Sequence, residues 1–380
     1  MHDDELRYWI ALKSIPGIGN AAILSLAVRF PSLAEAFSAS PSQLSGIAGL
    51  AGESAASIRC FNSWNRIDRE LERLHEAGMA VVTCRDERYP ARLLNIYDRP
   101  AFLYVRGDLN KEDICIAVVG SRQASAYGKY TTERISRELA MRGVTIVSGM
   151  ARGIDSCAHR GALSARGRTI AVLGSGLDVI YPPENHKLSA AIVQEGALIS
   201  EYPPGTHPLP FHFPARNRMI SGMSYGVVVV EAGEKSGSLI TARLAADQGR
   251  DVFAIPGSID SARARGTNSL IKQGAKLVDS VDDILEDILP QLERPPGMQT
   301  LPLTAGTEPS ASPNQTSGGL NVTDEMIMKF LSARKIHADE IISSSGLPPG
   351  DVLSCLITLE LKGIVEQHPG KFFTLKSFGI

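Results

Sequence analysis

Several protein classes are excluded by what this 380-residue chain lacks. Its five cysteines, Cys60, Cys84, Cys115, Cys157 and Cys355, form no CxxC pair. That excludes a paired-cysteine zinc module and a disulfide framework, and it fits reduced thiols in a cytoplasm. The purely apolar runs are no longer than a strand, so no transmembrane helix is expected. The first residues, Met1-His2-Asp3-Asp4-Glu5, are acidic where a secretory signal would be basic. Charge of one sign is also missing. With 39 Lys and Arg against 41 Asp and Glu the net charge is -2, so the chain has no basic coat and must meet any polyanion with a local patch.

The usual marks of catalysis are missing as well. There is no Walker lysine motif. Neither Gly120-Ser121-Arg122 nor Gly174-Ser175-Gly176 completes GxGxxG, and Ser148-Gly149 stand where a ribose-binding acid would close the second strand, so no nucleotide cofactor is expected. Gly222-Met223-Ser224-Tyr225-Gly226 spells GxSxG, but it ends a helical stretch and leads into a strand, the reverse of a nucleophile elbow. His207 and His212 are separated by Pro208 and Pro210 and lack carboxylates at ligand spacing, so no metal site is expected. His159 reads as a helix-surface residue and Asp155 as a helix N-cap or first-turn residue.

What is present is a βαβ alternation over about 80 to 285. The apolar runs Ile116-Val119, Val144-Val147, Thr169-Leu173, Ala197-Ser200, Val227-Val230 and Val252-Ile255 suit strands buried on both faces. Helical stretches such as Lys129-Met141 and Ile240-Gln248 separate them. The pattern predicts a doubly wound, mostly parallel sheet. Such sheets bind ligands at the carboxyl ends of their strands. There the chain places Gly120-Ser121-Arg122, then Ser148 to Asp155 with Gly149 and Arg152, then Gly174-Ser175-Gly176, then Glu231 to Ser238 with Lys235, Ser236, Gly237 and Ser238. Glycines let a backbone approach an anion, while serines and first-turn amides donate to it. Arg122 has no obvious carboxylate partner nearby in sequence, as suits an arginine that waits for phosphate. Phe213-Pro214-Ala215-Arg216-Asn217-Arg218 adds a ring that can stack on a base and two guanidinium forks, the equipment of single-strand nucleic-acid binding. The competing structural reading puts Phe213 in the core and pairs one of the arginines with Glu231.

The flanks differ from the centre. Residues from about 5 to 75 read as short helices. Ile15-Pro16-Gly17-Ile18-Gly19 and Leu44 to Leu50 form glycine turns, either phosphate-holding helix-hairpin-helix turns or simple helix caps. Pro295 to Gly319 is a linker by composition. Beyond it, Asp324-Leu331, Ala338-Ser344 and Gly350-Lys362 read as helices around the turn Gly346-Leu347-Pro348-Pro349. Val365-Glu366-Gln367, Pro369-Gly370 and Phe372-Leu375 then read as a hairpin, giving a winged-helix pattern. Its last helix carries Lys362 alone as a basic residue, so a protein contact is as well supported there as duplex binding.

Together, Gly120-Ser121-Arg122, Ser148 to Asp155, Gly174 to Asp178 with Tyr181-Pro182, Ser200 to Gly205, Phe213 to Ser221 and Ser236 to Ala242 resemble the bacterial DNA-processing family DprA, also called Smf. Tyr89-Pro90 to Leu94, with Pro100 and Gly107, resembles the segment leading into that family's core. The likeness runs in order through about 80 to 280. It implies an extended Rossmann-like core without catalytic activity. The family binds single-stranded DNA, forms homodimers and loads the RecA recombinase in natural transformation. By this resemblance Ser121 and Arg122 would hold phosphate, Phe213 would meet a base, Arg216, Asn217 and Arg218 would line the pocket, and Lys235 with Ser236 to Ser238 would complete it. The expected organisation is a helical domain (SAM or helix-hairpin-helix-like) over 1–78, the Rossmann-like core over 79–290, a linker over 291–320 and a winged-helix domain over 321–380. Two rivals remain, a Rossmann-like enzyme acting on a phosphorylated small molecule and a regulator that grips duplex DNA through 321–380.

Overall fold

The computed structural model describes residues 3–292, then 327–331, 336–345, 364–368 and 372–375, with Val352, Cys355, Leu356 and Leu359 between them. Pro295 to Gly319, Gly346 to Pro349, Pro369-Gly370 and Lys362 lie outside the described residues. The chain divides into two compact units, Met1–Met298 and Gln299–Ile380.

The first unit opens with six short helices: α1 (Asp3–Ser14), α2 (Asn20–Arg29), α3 (Leu33–Ser38), α4 (Pro41–Leu44), α5 (Gly52–Arg59) and α6 (Trp64–Glu76). Serine starts two of them. Ser32 accepts from the Ala34 amide, and Ser40 closes a capping box with Gln43 ahead of Pro41. Both glycine turns hold left-handed residues, Gly17 at φ +83° and Gly49 at φ +78°. A β-carbon on Gly49 would sit 3.1 Å from the Ala22 amide, so the second turn packs directly on the start of α2.

A nine-stranded sheet follows. Its strands are β1 (Met79–Thr83), β2 (Phe102–Gly107), β3 (Cys115–Val119), β4 (Thr145–Ser148), β5 (Thr169–Val172), β6 (Ala197–Ser200), β7 (Gly226–Val229), β8 (Asp251–Ala254) and β9 (Lys276–Leu277), in the spatial order β1-β2-β6-β5-β4-β3-β7-β8-β9. Strands β3 to β9 run parallel, while β2 pairs antiparallel with both β6 and β1. The chain leaves β3 toward β4 and leaves β7 toward β8, so the two loops diverge and open a crevice at this switch point. The helices between the strands are α7 (Ala126–Met141), α8 (Ile154–Ser164), α9 (His186–Glu195), α10 (His212–Gly222), α11 (Gly237–Asp247) and α12 (Arg265–Lys272), and α13 (Val281–Leu292) follows β9.

Alternation places Ala117 and Val119 of β3 in one apolar cluster and Ile116 and Val118 in the cluster on the opposite face. A third cluster runs without a break from Trp9, Leu26 and Leu33 of the helices to Met79, Tyr104, Leu173 and Leu198 of the sheet. The six apolar runs of the sequence each fall within a residue of a strand. GxSxG ends α10 and enters β7, the reversed context. One expectation is corrected: His159 is not on the surface of α8 but wholly buried. α8 packs against the sheet and its neighbouring helices, burying every residue from Ile154 to His159.

The second unit contains β10 (Ile336–His337), α14 (Ala338–Ser345), β11 (Val365–His368) and β12 (Phe372–Leu375). β12 lies between the other two strands and is antiparallel to both. Val352, Leu356 and Leu359 are helical and share a core with Ile327, Leu331, Ile341, Val365 and Phe373. This is the expected helices-plus-hairpin arrangement. Among the described residues no helix is long and apolar enough to cross a membrane.

Candidate nucleic-acid interface

The crevice above β3 and β7 is a cavity of about 820 Å³. The loop after β3 supplies Gly120, Ser121, Arg122 and Gln123. The loop after β7 supplies Gly233, Lys235, Ser236, Gly237 and Ser238, and α10 adds Phe213, Arg216 and Asn217. Tyr181, from the loop after β5, and Asp155 also reach it.

Three side chains form a cluster. The Arg122 guanidinium lies 5.3 Å from the centre of the Phe213 ring, and the Tyr181 ring is tilted against Phe213 at 5.7 Å. Arg122 is exposed and makes no ion pair among the described residues. Its charge and a half-buried ring therefore face the cavity side by side.

Lys235 is exposed on the opposite wall, at the start of α11. The Ser236 side chain does not cap that helix and instead meets the Ser238 hydroxyl at 2.8 Å. The Leu239 amide bonds the Ser236 carbonyl at 3.1 Å, while Gly237 and Ser238, which line the cavity, begin a helix with no side-chain cap, an arrangement suited to an anion.

The β3 loop is fixed from beneath. Glu231 accepts from the Ser125 amide at 2.9 Å and from its hydroxyl at 2.5 Å, and Ser125 in turn accepts from the Gly128 amide at 3.0 Å to cap α7. The alternative in which an arginine pairs with Glu231 is thereby corrected, because Ser125 occupies both carboxylate oxygens.

The arginine-rich motif divides by helix face. Arg216 is the buried one. Its guanidinium donates to the carbonyls of Gly149, at 2.8 Å, and Val172, and its Nε donates to Asn217 at 3.2 Å. Burial lowers its pKa to about 10, with the Asp155 carboxylate opposing that shift. Burial likewise raises the Asp155 carboxyl, against the pull of Arg216. Gly149 makes room for this guanidinium, since a β-carbon there would lie 2.5 Å from it. Gly174 lies under Phe213, 3.2 Å by the same construction. These two glycines shape the shelf that Arg216 and Phe213 occupy and do not line the large cavity.

Arg218 is not in the cavity, which corrects its expected role. It binds Glu201 and, at 3.0 Å, Asp98. Glu201 also accepts from Asn20 at 2.8 Å, and Asn20 accepts from Lys13 at 2.9 Å, so the network ties α10 to α1 and α2. Arg152 pairs with Glu184 at 2.5 Å beside a smaller cleft that also touches Arg122, Tyr181 and Phe213. Among the described residues no group of acidic, histidine or cysteine side chains could hold a metal ion.

The family model for DNA recombination-mediator protein A matches residues 80–289, the segment that builds this sheet and its crest. The chain belongs to that family. A second model, the DprA winged helix domain, matches residues 310–371. Protein Smf of a Synechocystis species is 35% identical, with 97% of this chain and 98% of that protein covered. DNA processing protein DprA of Bacillus subtilis is 44% identical over 59% of this chain and 76% of its own length. Among solved structures, DNA processing protein A of Streptococcus pneumoniae superposes with a TM-score of 0.65 and 38% identity, covering 74% of this chain and 97% of that one. DNA processing protein A of Helicobacter pylori, a structure described for its single-stranded DNA binding mode, gives a TM-score of 0.51 and 32% identity, covering 56% and 96%.

In this DprA-family chain the cavity gathers Gly120, Ser121, Arg122, Phe213, Arg216, Asn217, Lys235, Ser236, Gly237 and Ser238. It leaves Arg218, Gly149, Gly174 and Arg152 to the surrounding frame. Tyr181 is the residue that sequence reasoning passed over as a site residue. The signal for it was an aromatic in a long crest loop, between the end of β5 and the start of α9.

Proposed function

We propose that this protein is a non-enzymatic mediator of DNA recombination that holds single-stranded DNA in the crest cavity. The observation that carries this reading is the Arg122–Phe213–Tyr181 cluster and Lys235 lining one cavity of about 820 Å³. Rings accept a base of any sequence, and flanking cations and amides take its phosphates. Ser121, Arg122, Lys235 and the start of α11 hold the backbone, while Phe213 and Tyr181 hold the base. Arg216 and Asn217 keep the floor in place. The single-stranded DNA binding described for the Helicobacter pylori relative supports the ligand class. From the family resemblance we further infer a cytoplasmic homodimer that delivers the bound strand to RecA and acts during DNA uptake. Filter binding of oligothymidylate to wild type and to Arg122→Ala tests the pocket, and unchanged affinity in the variant overturns it. RecA filament assembly on strands coated with single-strand-binding protein, with and without this chain, tests the delivery.

A further inference from the structure

The N-terminal helices carry a second cleft, of about 520 Å³, that the crest cavity does not involve. Tyr8, Phe37, Phe61 and Trp64 meet there with centroids 4.8 to 5.8 Å apart, all tilted or edge-on. In an edge-on pair only one ring gives up a face, so such a cluster leaves ring surface uncovered. The core beneath is already filled by Trp9, Leu33 and Ile58, and the four rings remain only partly buried above it.

Two cations border the rings. Arg7 lies 5.0 Å from the Trp64 ring centre and bonds Asp68 at 3.1 Å through one terminal nitrogen. Its Nε is buried with no acceptor. Arg59 is exposed, lines the cleft and makes no ion pair among the described residues. No carboxylate is among the lining residues. Uncovered rings and an unpaired guanidinium in a cleft with no carboxylate call for one occupant that is flat and anionic.

We propose that this cleft is a second single-stranded DNA site, in which a base packs against Trp64 and Phe61 while Arg59 takes its phosphate. The assignment stands on the cleft's own residues and does not depend on the crest cavity.

The chain carries its own probe. Of its two tryptophans, Trp9 is wholly buried and Trp64 lines the cleft. Titrating the full chain with oligothymidylate quenches Trp64 emission saturably, and Trp64→Phe removes that response. Arg59→Glu, at an exposed position, weakens the quenching about tenfold, the scale of a lost charged hydrogen bond. Arg122→Ala, which addresses the crest, leaves it unchanged. Absence of quenching, quenching indifferent to Arg59→Glu, or quenching lost with Arg122→Ala overturns the proposal. So does quenching by an acidic, phenylalanine-bearing peptide where the oligonucleotide gives none, which would make the cleft a protein-docking site.

Discussion

In the proposed mode of binding, Arg122 and Phe213 divide the task of holding one nucleotide between charge and stacking, and the two parts separate in mutants. Arg122→Ala loses a charged hydrogen bond to phosphate, so affinity for oligothymidylate falls roughly ten- to hundredfold and its salt dependence weakens. Phe213→Ala loses about 1–3 kcal/mol of base stacking while the salt dependence is kept. Affinities measured at several salt concentrations distinguish the two. His159 sets a pH dependence of another kind. Its Nδ1 lies 2.7 Å from the Thr169 hydroxyl, whose own proton goes to the Ile146 carbonyl, so Nδ1 carries the hydrogen and Nε2 is left bare and buried. Burial lowers the pKa to about 3, from the ordinary imidazole value near 6.5. The unfolded chain therefore binds a proton that the folded chain refuses. Stability is full above pH about 6.5 and falls as the pH drops toward 3, by about 2 kcal/mol at pH 5. Urea denaturation at pH 7 and pH 5 measures this, and His159→Asn flattens the difference. Arg122 and Lys235 were legible in the sequence because each follows an unmistakable strand. Arg216 and Arg218 were not. Two arginines two positions apart on a helix take different faces, and the motif does not say that Arg216 turns to the Gly149 and Val172 carbonyls while Arg218 turns to Glu201.

Two tethers hold the elements that bear the site. Glu231, at the end of β7, binds Ser125 ahead of α7 and so fixes the loop with Ser121 and Arg122. A β-carbon on Gly128 would lie 2.5 Å from that carboxylate, so nothing larger than glycine fits above it. Glu231→Ala leaves the Ser125 donors unmet. It lowers stability by about 1–3 kcal/mol in urea denaturation and weakens strand binding with no loss of any cavity side chain. Glu231→Gln, which keeps an acceptor oxygen, recovers part of both. The second tether is Arg218 with Glu201 and Asp98, which anchors the helix carrying Phe213, Arg216 and Asn217. At this scale the parallel strands were readable as apolar runs because both of their faces are buried. β1 and β2 were not assigned. Met79–Thr83 and Phe102–Gly107 join the sheet antiparallel at its edge, and only pairing with β6, far away in sequence, gives them that place.

The charge of the whole molecule, -2, gives no long-range pull on a polyanion, so the proposed crest site relies on its own few cations. With Arg122 and Lys235 as its free cations, log affinity at the crest site falls with log salt at a slope of about -1.4, far shallower than for a protein with a basic coat. Domain organisation is less simple than composition suggests. The linker composition of Pro295 to Gly319 is read from sequence alone, and the compact units of the chain are Met1–Met298 and Gln299–Ile380. No such break follows residue 78, because the cluster containing Trp9 continues into Tyr104 and Leu198. Buried contacts between distant segments leave no mark in local sequence. We propose that strand binding belongs to the first unit and that the winged-helix unit acts on a separate partner. A chain ending at Met298 then keeps its cooperative melt and binds oligothymidylate within about twofold of full length, since every residue of the proposed crest site belongs to the first unit. The corresponding cut after Gly78 exposes Met79, Tyr104 and Leu198, and the released core aggregates or melts early. Gel shifts and thermal melts of both truncations decide the matter. Loss of all DNA binding on removing residues 299–380 would move the function to the winged helix and make the crest cavity its accessory.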